Sequence, residues 1–163
     1  MNYFELFELK MAPVVDKTRV SKKYFELQKK FHPDFFSNGT EAEKEDALSQ
    51  SAEINKAFQI FQQDDKTLEY FLRVNGKVFT DEKYELPADF LMEMLDLNDL
   101  VMELSPEEVA ARIEEEEAAL TAEVAPILEK DFEKGITPEE MDALKLYHYK
   151  KKYVKRILDR LDQ

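Results

Sequence analysis

His32 and Asp34 place an imidazole and a carboxylate two residues apart, with Pro33 between them. Such a pair can belong to a catalytic dyad, contribute two metal ligands, or form a stiff polar tip presented to another molecule. Metal chemistry finds little else to work with. The sequence has no Cys, and the second and last histidine is His148. The tip reading has a local mechanical basis. The ring of Pro33 crowds the residue before it and disfavours helical geometry there, so a helix arriving from the N-terminal side must stop at about His32. Asp34 then follows as a turn residue that can bond its own local backbone. Phe31, Phe35 and Phe36 flank the turn, and Phe31 and Phe36 are expected to anchor it in a core.

Other clusters invite chemistry less. Glu114 to Glu117 are four consecutive carboxylates, which on a helix point in four directions, as a solvated surface does. No Glu-x-x-His pair supplies a di-iron arrangement. His148, between Tyr147 and Tyr149, is expected to be a structural or surface residue. Lys150, Lys151, Lys152, Lys155 and Arg156 are expected to offset the acidic helix before them. The sequence therefore predicts no catalytic residue, no metal and no cofactor.

The elements that would carry the tip are helical. Asn2 can cap a short helix through Leu9. A second helix is predicted from Val15 or Asp16 to Phe31, its apolar residues Val20, Tyr24, Leu27 and Phe31 recurring at spacings of four, three and four. Arg19, Lys22, Lys23, Lys29 and Lys30 cover another side of it, interrupted by Glu26, and lead straight into the turn. Thr40 and Glu43 have capping-box spacing for a third helix to about Gln62, with Leu48, Ala52, Asn55, Phe58 and Phe61 as its expected inward edge and Ile54, Ala57 and Ile60 broadening the apolar surface. A short helix from Lys66 to about Asn75 and a stop at Gly76 would close a first domain, 1–75.

Residues 76–87 lack a sustained period and read as a connection, in which Val78, Phe79, Tyr84 and Leu86 suggest packing on something rather than a free linker. The remainder, 88–163, predicts an antiparallel bundle of three helices. The first runs from about Ala88 to Glu103. The second starts at Ser105-Pro106 and runs toward Lys134, kinked at Pro126, and the third runs from Thr137-Pro138 to Leu161.

Charge supports the same division. Residues 1–75 hold 11 Lys and Arg against 13 Asp and Glu, whereas residues 76–163 hold 12 against 23, within a total of −13. That acidity disfavours nucleic acid as a partner, because phosphates must be neutralised by cations. No apolar run is long enough to cross a membrane. The absence of cysteine fits a reducing cytoplasm, and the N-terminal residues Met1 to Leu9 have neither secretory nor presequence character.

The order short helix, basic helix, His-Pro-Asp turn, apolar-striped helix resembles the J domain, and Ser51-Ala52-Glu53-Ile54-Asn55-Lys56-Ala57-Phe58 is similar to the corresponding J-domain helix. The wider match looks closest to the HscB family of J-type co-chaperones in iron–sulfur cluster assembly. The resemblance implies an all-α protein with a J domain (a helical hairpin carrying the His-Pro-Asp loop) followed by an antiparallel three-helix bundle. It implies two protein partners. A DnaK- or HscA-class ATP-driven chaperone would meet Arg19, Lys22, Lys23, Lys29, Lys30, His32, Pro33 and Asp34. An IscU-like scaffold protein would meet Leu91, Met92 and Leu95, with Asp96, Asp99 and Glu103 as acidic neighbours and Tyr147 as an aromatic contact. Phe35 departs from the family, which often has lysine after His-Pro-Asp, and aspartates stand where glutamates are frequent. The alternatives are a J-domain adaptor for another client and, further off, a small helical enzyme using His32 and Asp34.

Overall fold

A computed structural model of the protein describes residues 1–161, so the last two residues of the expected bundle lie outside the described region. The chain divides into two units, Met1–Gly76 and Lys77–Gln163. Among the described residues every regular element is helical.

In the first unit, the Asn2 side chain accepts from the Glu5 backbone N–H and starts α1, Tyr3–Leu6. This helix is shorter than the expected span to Leu9. Glu8 adopts a left-handed φ of 52°, the Leu9 N–H reaches back to the Phe4 carbonyl at 2.8 Å, and the Glu8 N–H bonds Glu5. That pair of bonds closes a helix end and satisfies its last carbonyls.

Asp16 caps α2, Lys17–Phe31, through the N–H groups of Thr18 and Arg19. Thr40 caps α3, Glu41–Phe61, and α4 spans Asp64–Val74. Tyr24 stacks on Phe58 with centroids 3.9 Å apart, while Tyr24 Oη and Gln28 Nε2 both donate to Asn55 Oδ1. Pairing 24 with 58 and 28 with 55 makes α2 and α3 an antiparallel hairpin. Phe4, Phe7, Val20, Ile54, Ala57, Phe61, Phe71 and Leu72 form the core beneath it.

The expected inward edge of α3 is corrected here. Phe61, Ile54 and Ala57 are buried as expected, but Ala47 and Ser51 join them, whereas Leu48 is 62% exposed and Ala52 and Asn55 are exposed, Asn55 at the rim where it accepts from α2. Apolar residues occur nearly all round this helix, so periodicity alone does not choose among adjacent registers.

Hydrogen bonds tie α1 down. The Tyr3 N–H donates to Tyr70 Oη at 2.8 Å, and Tyr3 Oη donates to Glu53 Oε2 at 2.9 Å. Burial, then the bond to Glu53, pushes the Tyr3 phenol up to about 12, and the same bond holds the Glu53 carboxyl below its usual range. A phenol whose folded pKa lies above its unfolded one contributes stability in full below about pH 10, the ordinary tyrosine value, and loses it as pH climbs through the folded value. The parent chain is therefore expected to melt above Tyr3→Phe at neutral pH, and the two melting temperatures should converge as pH rises from 10 to 12. Thermal melts of both proteins across that range check it; a constant gap would disprove the assignment.

In the second unit, α5 spans Ala88–Val101, α6 Pro106–Leu128 and α7 Pro138–Leu161. Ser105 caps α6 through the Glu108 N–H, and Thr137 and Glu140 form a reciprocal capping box on α7. Thr121 meets Tyr147 and Lys130 meets Glu140, so α6 and α7 run antiparallel. The expected continuation of α6 to Lys134 is also corrected. The helix stops at Leu128, and a separate 3-10 turn, Phe132–Lys134, capped by Asp131, leads to Gly135 at φ 95°. Pro126 lacks an N–H and withdraws one bond from the final helical turn, which weakens propagation there.

The expected connection clusters with this unit. Val78 is buried, and Glu82 accepts from Lys145 Nζ at 2.7 Å and from Tyr149 Oη. Both bonds hold the Glu82 carboxyl below the usual carboxylate range, and Tyr84 stacks on Tyr149 at 4.3 Å.

Candidate interaction surfaces

His32 ends α2 in an extended conformation, φ −61° and ψ 133°, as its proline neighbour requires. A 3-10 turn, Pro33–Phe36, follows and packs against α3. The Asp34 backbone N–H donates to His32 Nδ1 at 3.2 Å. Asp34 Oδ2 also lies 3.6 Å from Nδ1, too far for a hydrogen bond, so the backbone contact sets the tautomer. A neutral ring bonded this way accepts at Nδ1 and has its N–H at Nε2. His32 is half-exposed and Asp34 exposed. Phe31 and Phe36, expected as core anchors, are each only half-buried. Phe35 is 67% exposed, its ring edge-on to His32 with centroids 6.3 Å apart.

On α2, Arg19, Lys22, Lys29 and Lys30 are exposed, and Lys30 Nζ sits 5.3 Å from the Phe31 ring centre. Lys23 departs from the expected group. Its ammonium is drawn down to Glu8 at 3.1 Å and Glu26 at 3.7 Å, which commits it to intramolecular pairing. Sequence reasoning passed over Phe25, which is 64% exposed. The signal was available, because Phe25 falls outside the 20, 24, 27, 31 stripe.

Helix α5 has two apolar faces. Phe90, Met94, Leu97 and Val101, spaced four, three and four, are buried. Met92 is 67% and Leu95 58% exposed, and Leu91 is half-buried beside them. Asp96 and Asp99 are exposed on the same helix, and Glu103 is exposed just beyond its end. Positions 91, 92, 95, 96 and 99 share one side of a helix, giving an apolar patch with an acidic margin.

Tyr147 does not join that patch as a free contact. It is 6% exposed, its hydroxyl lies 2.8 Å from Thr121 Oγ1, and Lys151 Nζ covers its ring at 5.3 Å. It packs α7 onto α6. His148 is likewise buried, with its ring 5.0 Å from that of Tyr149. Lys150 and Lys152 lie over the rings of Phe90 and Tyr149. These lysines thus cap aromatic rings, a use the expectation of charge compensation had not included. No group of three or more His, Asp or Glu suited to a metal ion occurs among the described residues, and no helix there is long and apolar enough to cross a membrane.

Known proteins resemble this arrangement at both ends of the chain. Residues 86–162 match the family described as the HSCB C-terminal oligomerisation domain. A co-chaperone protein HscB homolog from Vibrio campbellii is 28% identical over 150 residues, covering 89% of this chain and 88% of the relative. The crystal structure of human co-chaperone protein HscB superposes with a TM-score of 0.81, covering 99% of this chain and 81% of the human one; at 23% identity this speaks for the fold. Chaperone HscB from Vibrio cholerae superposes with a TM-score of 0.72 at 25% identity, covering 99% and 96% of the two chains. The fold is thus all-α, an N-terminal J domain and a C-terminal helical bundle. By sequence and by fold, in both of its units, this chain resembles the HscB co-chaperones.

Proposed function

We propose that this chain is a cytoplasmic co-chaperone that stimulates the ATPase of a DnaK- or HscA-class chaperone and delivers an IscU-like scaffold protein to it. The observation that carries the reading is that one chain presents two exposed surfaces of different chemistry. One is a proline-stiffened His32–Asp34 tip at the end of cationic α2; the other is the apolar patch of Leu91, Met92 and Leu95 with its acidic margin. Each lies on a separately clustered unit. A chain that only bound the chaperone would have no use for the second surface. Hydrolysis belongs to the partner, and His32 and Asp34 act by docking.

The exposed cations of α2 (Arg19, Lys22, Lys29 and Lys30) steer encounter with an acidic surface on the ATPase. At about 0.15 M salt the screening length is roughly 8 Å, so long-range attraction of this kind is weakened by added salt. Purified chain with ATP alone is expected to give no turnover, and adding the HscA-class chaperone of the same genome should give stimulated hydrolysis. Lys22→Glu with Lys29→Glu should slow association, as should raising salt for the parent. Stopped-flow mixing reads both. An association rate indifferent to salt and to the double reversal would reduce α2 to a solvated face.

A further inference from the structure

Charge alone leaves one feature of α2 unexplained. Phe25 is 64% exposed on a helix whose own apolar stripe is already complete, and Phe35 is 67% exposed at the turn. An exposed phenylalanine contributes nothing to the core, and two of them near one docking tip make an apolar surface that water covers poorly. Their positions are related. Lys22, Phe25, Lys29 and His32 follow one another at spacings of three, four and three, which places them on one side of α2. The ring of Phe35 then stands edge-on against His32 and extends the row past the helix end. The seven steps from Phe25 to His32 span roughly 10 Å of helix axis at 1.5 Å each.

We infer that Phe25 and Phe35 are apolar anchors of the docking face, and that the partner surface is an acidic rim enclosing two apolar seats, one beside α2 and one just past its end. This rests on the reading that α2 and its turn dock on the chaperone ATPase. Complementarity argues for that occupant. The row alternates cation, ring, cation and imidazole on a chain whose net charge is −13, so a second copy of this acidic chain is a poor fit, while an acidic protein surface with apolar hollows is a good one. The two kinds of residue divide the kinetics. Cations at the rim set how fast the complex forms, and buried rings set how long it lasts. Phe35 thus replaces the polar contact that a lysine after His-Pro-Asp would make with an apolar one.

The experiment measures association and dissociation of the full chain on the immobilised HscA-class chaperone of the same genome, with ATP present. Phe25→Ala and Phe35→Ala are expected each to raise the dissociation rate about tenfold while changing association by less than about twofold. Melting temperatures should stay at the parent value, because neither ring is buried. Phe25→Leu should recover part of the residence time. If dissociation is unchanged in both alanine variants while His32→Gln loses ATPase stimulation, the anchors are overturned and the docking reading stands. If the parent fails to bind, or His32→Gln stimulates like the parent, the docking reading falls and takes the anchors with it.

Discussion

Replacing His32 with Gln is expected to abolish stimulation of the chaperone ATPase without unfolding the protein or weakening client binding. The imidazole is half-exposed, and the α2–α3 hairpin is held elsewhere, by the Tyr24–Phe58 stack and the bonds that Asn55 receives from Tyr24 and Gln28. The fold therefore has little to lose at this position. The docking tip has much to lose. His32 Nδ1 fixes the turn by accepting the Asp34 N–H, which leaves Nε2 as the ring nitrogen the turn does not use. Glutamine offers a longer, freer amide that neither holds the turn nor presents a planar ring beside Phe35. Loss of an interface anchor worth about 2 kcal/mol lowers affinity by a factor of roughly 30. Circular dichroism, a client titration and steady-state ATPase on the same preparation check the three parts. Parent-like stimulation would mean that the turn is only a helix stop.

The second large effect contrasts side chains on one helix. Met94 is 1% exposed, and Met94→Ala should destabilise by about 2–5 kcal/mol, the usual cost of truncating a buried Leu, Ile or Met. Met92→Ala with Leu95→Ala removes more carbon in total but takes it from the exposed side. Stability should therefore change by well under 1 kcal/mol per substitution, as for ordinary surface changes. Binding of an IscU-like scaffold should move in the opposite sense. The double variant should lose most of its affinity, and Met94→Ala should keep it at temperatures where it remains folded. Thermal melts paired with calorimetric titration decide between the two faces. A collapsed melting temperature in the 92/95 variant would return those residues to the core, and undiminished binding would assign the patch to something other than the scaffold.

Much of this architecture was legible in the chain because its signals are local. Asp16, Thr40, Ser105 and Thr137 cap helices where their spacing to the following residues said they would. The α2 stripe predicted burial of Val20 and Leu27. The signal failed where several registers are equally apolar. Leu48 and Ala47 are neighbours on α3, and nothing local says which one turns inward; the smaller is the one buried. The 77–87 segment was legible as a connection that packs, through Val78 and Tyr84, but what it packs on was not. Its order comes from Glu82 reaching Lys145 and Tyr149, more than sixty residues away, and no window reading detects a pair that distant. Lys23 belongs with these, since its partner Glu8 sits on the far side of a chain reversal.

The two faces of α5 also bear on how such a protein can change through descent. Positions 90, 94, 97 and 101 answer to the fold, whereas 92, 95, 96 and 99 are exposed and only lightly constrained by it. Substitutions at distant, independent sites tend to add, while a side chain shared between packing and recognition couples the two. Here the sharing is slight. A lineage can exchange Met92 or shorten an acidic margin residue, and so change the surface offered to the proposed client, with little risk of crossing the stability threshold that ends most mutational paths. On the proposed reading of this face, client preference is open to drift and retuning in a way that the bundle's core is not.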